Sequence, residues 1–121
     1  MNILLADDRP RVRNALCILL EQQPQWVVVG EAADACELLD QTKSSQPDLV
    51  LLDGKLPGMR EDGYLQSIRE ICPQVCIVAL VDPQPVQRSA WPEDVDGFAT
   101  KVNSPEYLLS VIRSCLERRA C

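Results

Sequence analysis

The chain has 121 residues, 46% of them hydrophobic and 25% charged, and its 18 acidic against 12 basic side chains leave a net charge of −6. One buried core fits this length and two do not. The apolar runs are too short for a bilayer span or a signal segment, which points to a cytoplasmic protein, and the acidic balance disfavours direct binding to a nucleic acid backbone.

Apolar runs alternate with amphipathic stretches from the first residues onward. Ile3 to Ala6 is a short strand-like run, followed by Val12, Ala15, Leu16, Leu19 and Leu20 at the spacing of one helix face. Val27 to Val29 is the second strand candidate, and Ala35, Leu38 and Leu39 mark the second helix, with Asp34 and Glu37 spaced as an acidic capping box. Leu49 to Leu52 is the third strand candidate, and Tyr64, Ile68 and Ile71 mark the third helix. Val75 to Val81 is the fourth strand candidate. Pro83, Pro85 and Pro92 then confine any fourth helix to about Val86 to Trp91, because proline is excluded from helix interiors. Gly97 to Val102 is a weaker fifth strand candidate, and Ser104-Pro105 reads as the N-cap and first residue of a last helix carrying Leu108, Val111, Ile112 and Cys115. Short β-branched runs of this kind are typically buried on both faces of a parallel sheet. Five β-α units in succession predict one α/β domain over residues 1–121, a parallel sheet covered by helices on both faces.

In such a sheet, ligands bind beyond the carboxyl ends of the strands, where the strand order reverses. Asp7 and Asp8 follow the first strand, Asp53 closes the third, Asp82 follows the fourth and Lys101 falls at the end of the fifth. Each has a bland alternative: an acidic pair often starts a helix, a lone Asp often forms a turn, and a lone Lys is often a solvated charge. Their coincidence at separate strand ends argues otherwise. Carboxylates gathered from several strands repel one another, so the cluster calls for a hard cation, and Mg²⁺ (or Mn²⁺) suits an all-oxygen site. No histidine is present, so imidazole catalysis and ligation are excluded. The six cysteines form no CxxC pair and mostly fall in apolar segments, which reads as small buried hydrophobes.

The phrases Ile3-Leu-Leu-Ala-Asp-Asp-Arg-Pro, Val28-Val-Gly-Glu-Ala, Pro47-Asp-Leu-Val-Leu-Leu-Asp53 and Asp96-Gly-Phe-Ala-Thr-Lys101 resemble receiver domains of bacterial two-component response regulators, over nearly the whole chain. The opening phrase and Val-Val-Gly-Glu-Ala are similar in particular to the LuxR-type branch, whose receivers precede a helix-turn-helix DNA-binding domain. The resemblance implies a flavodoxin-like (βα)5 sandwich with strand order 2-1-3-4-5. It implies that Asp53 accepts a phosphoryl group from a phosphohistidine on a sensor histidine kinase. Asp8 then falls to the direct Mg²⁺ ligand and Asp7 to the water-mediated one, with the backbone carbonyl of Lys55 completing the set. Lys101 matches the lysine that pairs with a phosphoryl oxygen, and Phe98 stands where the family has its mobile switch aromatic, although a simple core aromatic fits Phe98 equally.

Three departures bear on the switch. Val81 occupies the slot of a Ser or Thr at the end of the fourth strand, and Thr100, next to Lys101 on a strand, is expected to face away from that lysine. Losing a hydroxyl that bonds a charged group costs roughly 1.5–3 kcal/mol of coupling. Arg60 and Glu61 look inserted in the loop after Asp53. Val102 replaces a proline, and Asp82 a small residue. The leading expectation is therefore a phosphoacceptor that regulates a downstream output, transcription in the branch it resembles, with self-association into a homodimer left open. It is an enzyme only in the sense of promoting its own phosphorylation and dephosphorylation. The DNA-binding output domain is expected to lie outside these 121 residues. The alternatives are an atypical receiver that binds partners or dimerises without phosphate, and a Mg²⁺-dependent phosphatase or transferase, for which no substrate cap is visible.

Overall fold

The computed structural model describes residues 1–58, 63–81, 95–100 and 104–120, with side chains to residue 118. Strands β1 (Asn2–Ala6), β2 (Val27–Ala32), β3 (Leu49–Asp53), β4 (Cys76–Val81) and β5 (Gly97–Thr100) form one sheet in the order β2-β1-β3-β4-β5, every neighbouring pair parallel. Among the described residues four helices accompany it: α1 (Pro10–Glu21), α2 (Ala35–Ser45), α3 (Tyr64–Ile71) and α4 (Pro105–Ala120).

Alternation along the strands divides the core into two layers. Leu4, Ala6, Val50, Leu52 and Ile77 face Leu38 of α2 and Leu65 and Ile68 of α3. Ile3, Leu5, Leu49, Leu51 and Val78 face Leu20 of α1 and Leu108, Leu109 and Ile112 of α4. Every residue of β3 and β4 is buried, as strands covered on both faces require. Thus β3, flanked by β1 and β4, carries Asp53 into the middle of the molecule.

The helix ends follow their local chemistry. Asp34 caps α2 by accepting the Glu37 N–H at 2.8 Å, the first half of the expected capping box. Ser104 caps α4 through its hydroxyl, which accepts the Tyr107 N–H at 3.2 Å, and Pro105 opens the helix. α1 opens with Pro10 and has no side-chain cap; its N-cap residue is Arg9, whose side chain is used elsewhere.

Several expectations need correction. β2 is not buried on both faces: it is a sheet edge, Val27 is 48% exposed, and the strand runs on through Gly30, Glu31 and Ala32. Gly30 and Glu31 lack an apolar signature and are held by pairing with Leu4 and Leu5, whereas Ala32 pairs with Ala6 and is also buried in the core. Among the cysteines Cys72, Cys76 and Cys115 are buried as expected, whereas Cys36 is exposed and Cys17 only half-buried, because both lie on outer flanks of their helices. The proline-bounded helix at Val86 to Trp91, the pair Arg60 and Glu61, Asp82, Lys101, Val102 and Cys121 lie outside the described residues.

Candidate functional site

The strand order reverses between β1 and β3, so the crevice for a ligand lies beyond their carboxyl ends. Asp7 and Asp8 leave β1 there, and Asp53 is the last residue of β3. Asp7 and Asp53 are each 2% exposed, whereas Asp8 is exposed. One carboxylate oxygen from each of the three lies within 4.8 Å of the others. The site therefore brings together Asp7, Asp8 and Asp53, three of the four acidic residues expected at the strand ends; the fourth, Asp82, lies outside the described residues.

Backbone bonds fix the two buried acids, Asp7 and Asp53. The Asp7 N–H donates to the Ala32 carbonyl at 3.0 Å, extending the β1–β2 ladder by one residue. Past Asp53, the Gly54 N–H donates to the Leu80 carbonyl at 2.7 Å, and the Leu56 N–H returns to the Asp53 carbonyl at 3.0 Å. The acceptor candidate is thus clamped between a ladder bond and a tight turn. Within that turn the exposed Lys55 donates its backbone N–H to Asp53 Oδ1 at 3.3 Å. The loop is anchored further on, where the Pro57 carbonyl accepts the Ala35 N–H at 2.9 Å. Gly58 follows at φ +87°, and a Cβ there would stand 3.1 Å from Ala35 Cβ, so both conformation and space favour glycine.

Arg9 is the functional residue that the reading of the sequence missed. Its Nε donates to Asp7 Oδ1 and its Nη2 to Asp7 Oδ2, both at 3.1 Å, a two-pronged pairing of guanidinium and carboxylate. The same Nη2 reaches Asp53 Oδ2 at 3.5 Å. The backbone N–H of Arg9 also donates to Asp7 Oδ1 at 2.9 Å. Hydrogen bonding to Asp7, opposed by partial burial and aided by the charges of Asp7, Asp53 and Asp8, holds the guanidinium even more firmly protonated than usual. The only hint in the sequence is a basic residue immediately after an acidic pair; that it folds back over two carboxylates is a tertiary fact. Behind it, Arg13 Nη1 donates to the Asp7 carbonyl at 2.7 Å and Arg13 Nε pairs with Glu31 Oε1 at 3.1 Å, fastening the acidic turn to α1 and β2.

The described switch candidates, Val81 and Phe98, lie on the β4 and β5 side of Asp53. Val81, at the end of β4, is 2% exposed and pairs with Thr100 of β5, while Phe98 pairs with Ala79 and is half-buried. In a parallel ladder paired residues share a face, so Val81, Phe98 and Thr100 lie on one side of the sheet, opposite Ala99. A hydroxyl therefore stands beside the apolar slot at Val81, one strand removed from it.

The donor set suits a hard divalent cation, being all oxygen. Opposite ligands of a Mg²⁺ octahedron are about 4.2 Å apart. The three carboxylates, with oxygens within 4.8 Å of one another, would hold such an ion directly or through water.

A parallel sheet of this order with an acidic crevice at its switch point defines a doubly wound α/β protein of flavodoxin-like topology. Comparison with known proteins makes this specific: residues 3–113 match the model for the response regulator receiver domain, and the chain belongs to that family. It is 31% identical over 112 residues to the nitrate/nitrite response regulator protein NarL of Escherichia coli K12, an alignment covering 91% of this chain and 52% of that one. It is 30% identical to the transcriptional activator protein ExaE of Pseudomonas putida, covering 99% of this chain and 57% of the relative. The chain thus spans about half the length of these relatives. Among solved structures, a LuxR-family two-component response regulator from Aurantimonas sp. SI85-9A1 superposes with a TM-score of 0.82 at 31% identity, covering 98% of this chain and 86% of the other. RcsB from Salmonella enterica serovar Typhimurium, bound to promoter rprA in the presence of phosphomimetic BeF3⁻, gives a TM-score of 0.82 at 26% identity, covering 97% of this chain and 98% of that one. No helix among the described residues is long and apolar enough to cross a membrane.

Proposed function

We propose that this receiver accepts a phosphoryl group on Asp53 from a sensor histidine kinase and passes the signal to a transcriptional output. The observation that carries the reading is the position of Asp53: buried to 2% exposure at the switch point, with its carboxylate within 4.8 Å of those of Asp7 and Asp8. An Asp53 oxygen forms the new O–P bond as the P–N bond to the donor imidazole breaks, and the bonding pair leaves with the imidazole nitrogen. The backbone bonds at Gly54 and Leu56 hold the nucleophile in place, so little orientation is left to chance. Asp7, Asp8, Asp53 and the Lys55 carbonyl are the proposed holders of Mg²⁺ or Mn²⁺, which when bound neutralises the charge that accumulates on the phosphoryl oxygens. Lys101 enters on its motif as a second cation for that charge. A DNA-binding output, supported by the names of the transcriptional relatives and by the promoter-bound RcsB structure, a cytoplasmic setting and self-association into a homodimer complete the proposal.

Incubation with Mg²⁺ and acetyl phosphate, followed by intact mass spectrometry, tests the central claim. One hydroxylamine-labile phosphoryl group is expected on the parent and none on Asp53→Asn. A phosphorylated Asp53→Asn protein, or an unmodified parent, overturns it. The second reading, a receiver that engages partners without phosphate, is favoured by one observation: the slot at the end of β4 holds buried, apolar Val81.

A further inference from the structure

We propose that Arg9 is a built-in counter-cation of the acceptor site that competes with the divalent ion, so that Arg9 sets how tightly this receiver binds metal. The inference rests on reading Asp7, Asp8 and Asp53 as the ion site. Two nearly fully buried carboxylates, Asp7 and Asp53, are brought together at the crevice, and like charges at such separations disfavour each other strongly. Nη2 of Arg9 bridges them, 3.1 Å from Asp7 Oδ2 and 3.5 Å from Asp53 Oδ2. An ion held by both carboxylates, directly or through a bound water, would compete with the guanidinium for these oxygens and the space between them. Asp7 Oδ1 already accepts both the backbone and Nε N–H groups of Arg9, so its lone pairs point toward the arginine rather than toward a second cation. Two cations at this spacing also repel, so occupancy by one opposes occupancy by the other.

The competition is reversible because the partners differ in exposure. Asp7 and Asp53 cannot leave their places, whereas the Arg9 side chain is 47% exposed. Its guanidinium can swing into water without leaving a buried charge behind on the arginine side. Arg9 stands at the N-cap position of α1 but caps it with no side-chain bond, so its departure costs the helix little. Two forms of the receiver follow: an arginine-closed form that is stable without metal, and an ion-loaded form from which the guanidinium has withdrawn. The metal-free protein gains stability from the first, and the apparent ion affinity is reduced by the same free energy.

The test compares the parent with Arg9→Gln, which keeps hydrogen-bonding length without charge, and Arg9→Ala. Calorimetric titration with Mg²⁺ is expected to give dissociation constants tighter than the parent's by about threefold to tenfold in both variants. Thermal midpoints in chelator are expected to be lower in the variants and to rise more steeply with added Mg²⁺. Agreement of the two variants excludes a local folding defect in either one. Equal or weaker Mg²⁺ binding by the variants overturns the inference while leaving the phosphoacceptor reading untouched, since acetyl phosphate labelling of the parent reports on that separately. Mg²⁺ binding by none of the three proteins overturns this inference and the metal-site assignment together.

Discussion

The two edges of the sheet use the same side chain for opposite purposes. At the amino edge, Asp48 precedes β3 and accepts the Asn2 N–H at 2.7 Å, and Asp96 precedes β5 and accepts both the Ile77 N–H at 2.8 Å and Arg69 Nη2 at 3.0 Å. These carboxylates fasten neighbouring strands at their starting ends. At the carboxyl edge, Asp7, Asp8 and Asp53 converge on one another instead, with Arg9 lying across two of them. Acids whose oxygens are turned to backbone donors of other strands act as structure. Acids held face to face store repulsion that an incoming cation relieves, which is how a fold carries a functional site at the expense of its own stability.

The largest effect that would sharpen this contrast is expected at Asp96. Asp96→Ala removes the carboxylate that pairs with Arg69 and the side-chain acceptor of the Ile77 N–H. A loss of about 1–3 kcal/mol is expected, read as a lower urea midpoint at unchanged slope. Asp53→Asn, measured alongside in chelator, is expected to change stability by less. Equal losses at the two edges would break the comparison, because the carboxyl-edge acids would then be structural as well.

How much of this could be read from the chain depends on which interactions are local. Leu49 to Leu52 announced a central strand because four consecutive apolar residues have few other uses, and Asp53 was legible as the residue that ends it. Asp34 and Ser104 were legible as caps since capping reaches only three residues along the chain. Gly30 to Ala32 were not seen as strand, because Gly30 and Glu31 are held by the neighbouring strand's backbone and not by apolar side chains of their own. Arg9 was invisible for a similar reason: its contact with Asp53 spans 44 positions and depends on β1 and β3 lying side by side. The pairing of Thr100 with Val81 across the β4–β5 ladder is likewise a tertiary fact that spacing along the chain does not show.

A smaller effect is expected at that slot. Val81→Thr is nearly isosteric but places a hydroxyl where Val81 is 2% exposed, so a cost of about 1 kcal/mol is expected in the unphosphorylated protein. On phosphorylation the new hydroxyl favours one state, and NMR shift changes at Phe98 are expected to exceed the parent's. Identical responses in the two proteins would show that the end of β4 takes no part in transmission.

Cysteine chemistry reports on the amino edge independently. Cys36 is exposed and is expected to react first with a thiol reagent among the described cysteines. Cys72 is buried, its Sγ donating to the Pro47 carbonyl at 3.4 Å, and burial together with the nearby Asp48 charge pushes its thiol up from the ordinary range. Its labelling should therefore be slower and should accelerate at higher pH than for an ordinary thiol. Asp96→Ala is expected to speed Cys72 labelling and leave Cys36 unchanged; no change at Cys72 would mean that this acid does not hold the edge closed.

The smallest expected change is at Asp8, and its sign is what matters. Asp8 is the exposed member of the carboxyl-edge cluster, and it belongs to the same group of oxygens as the buried Asp7 and Asp53. Removing it takes away a like charge, so Asp8→Ala is expected to be slightly more stable than the parent in chelator. Solvent screens an exposed carboxylate, and Arg9 already offsets part of the charge of the other two, so the gain is limited to a few tenths of a kcal/mol. Raising the salt concentration should shrink it further, as screening of an exposed charge requires. With Mg²⁺ the order should invert, because the parent gains stability from ion binding and Asp8→Ala loses a ligand along with that gain. Urea titrations in chelator and in Mg²⁺, at two ionic strengths, check all three signs. A variant that is less stable in chelator would place Asp8 with the structural acids of the opposite edge, and one that keeps the full Mg²⁺ increment would remove it from the ion site.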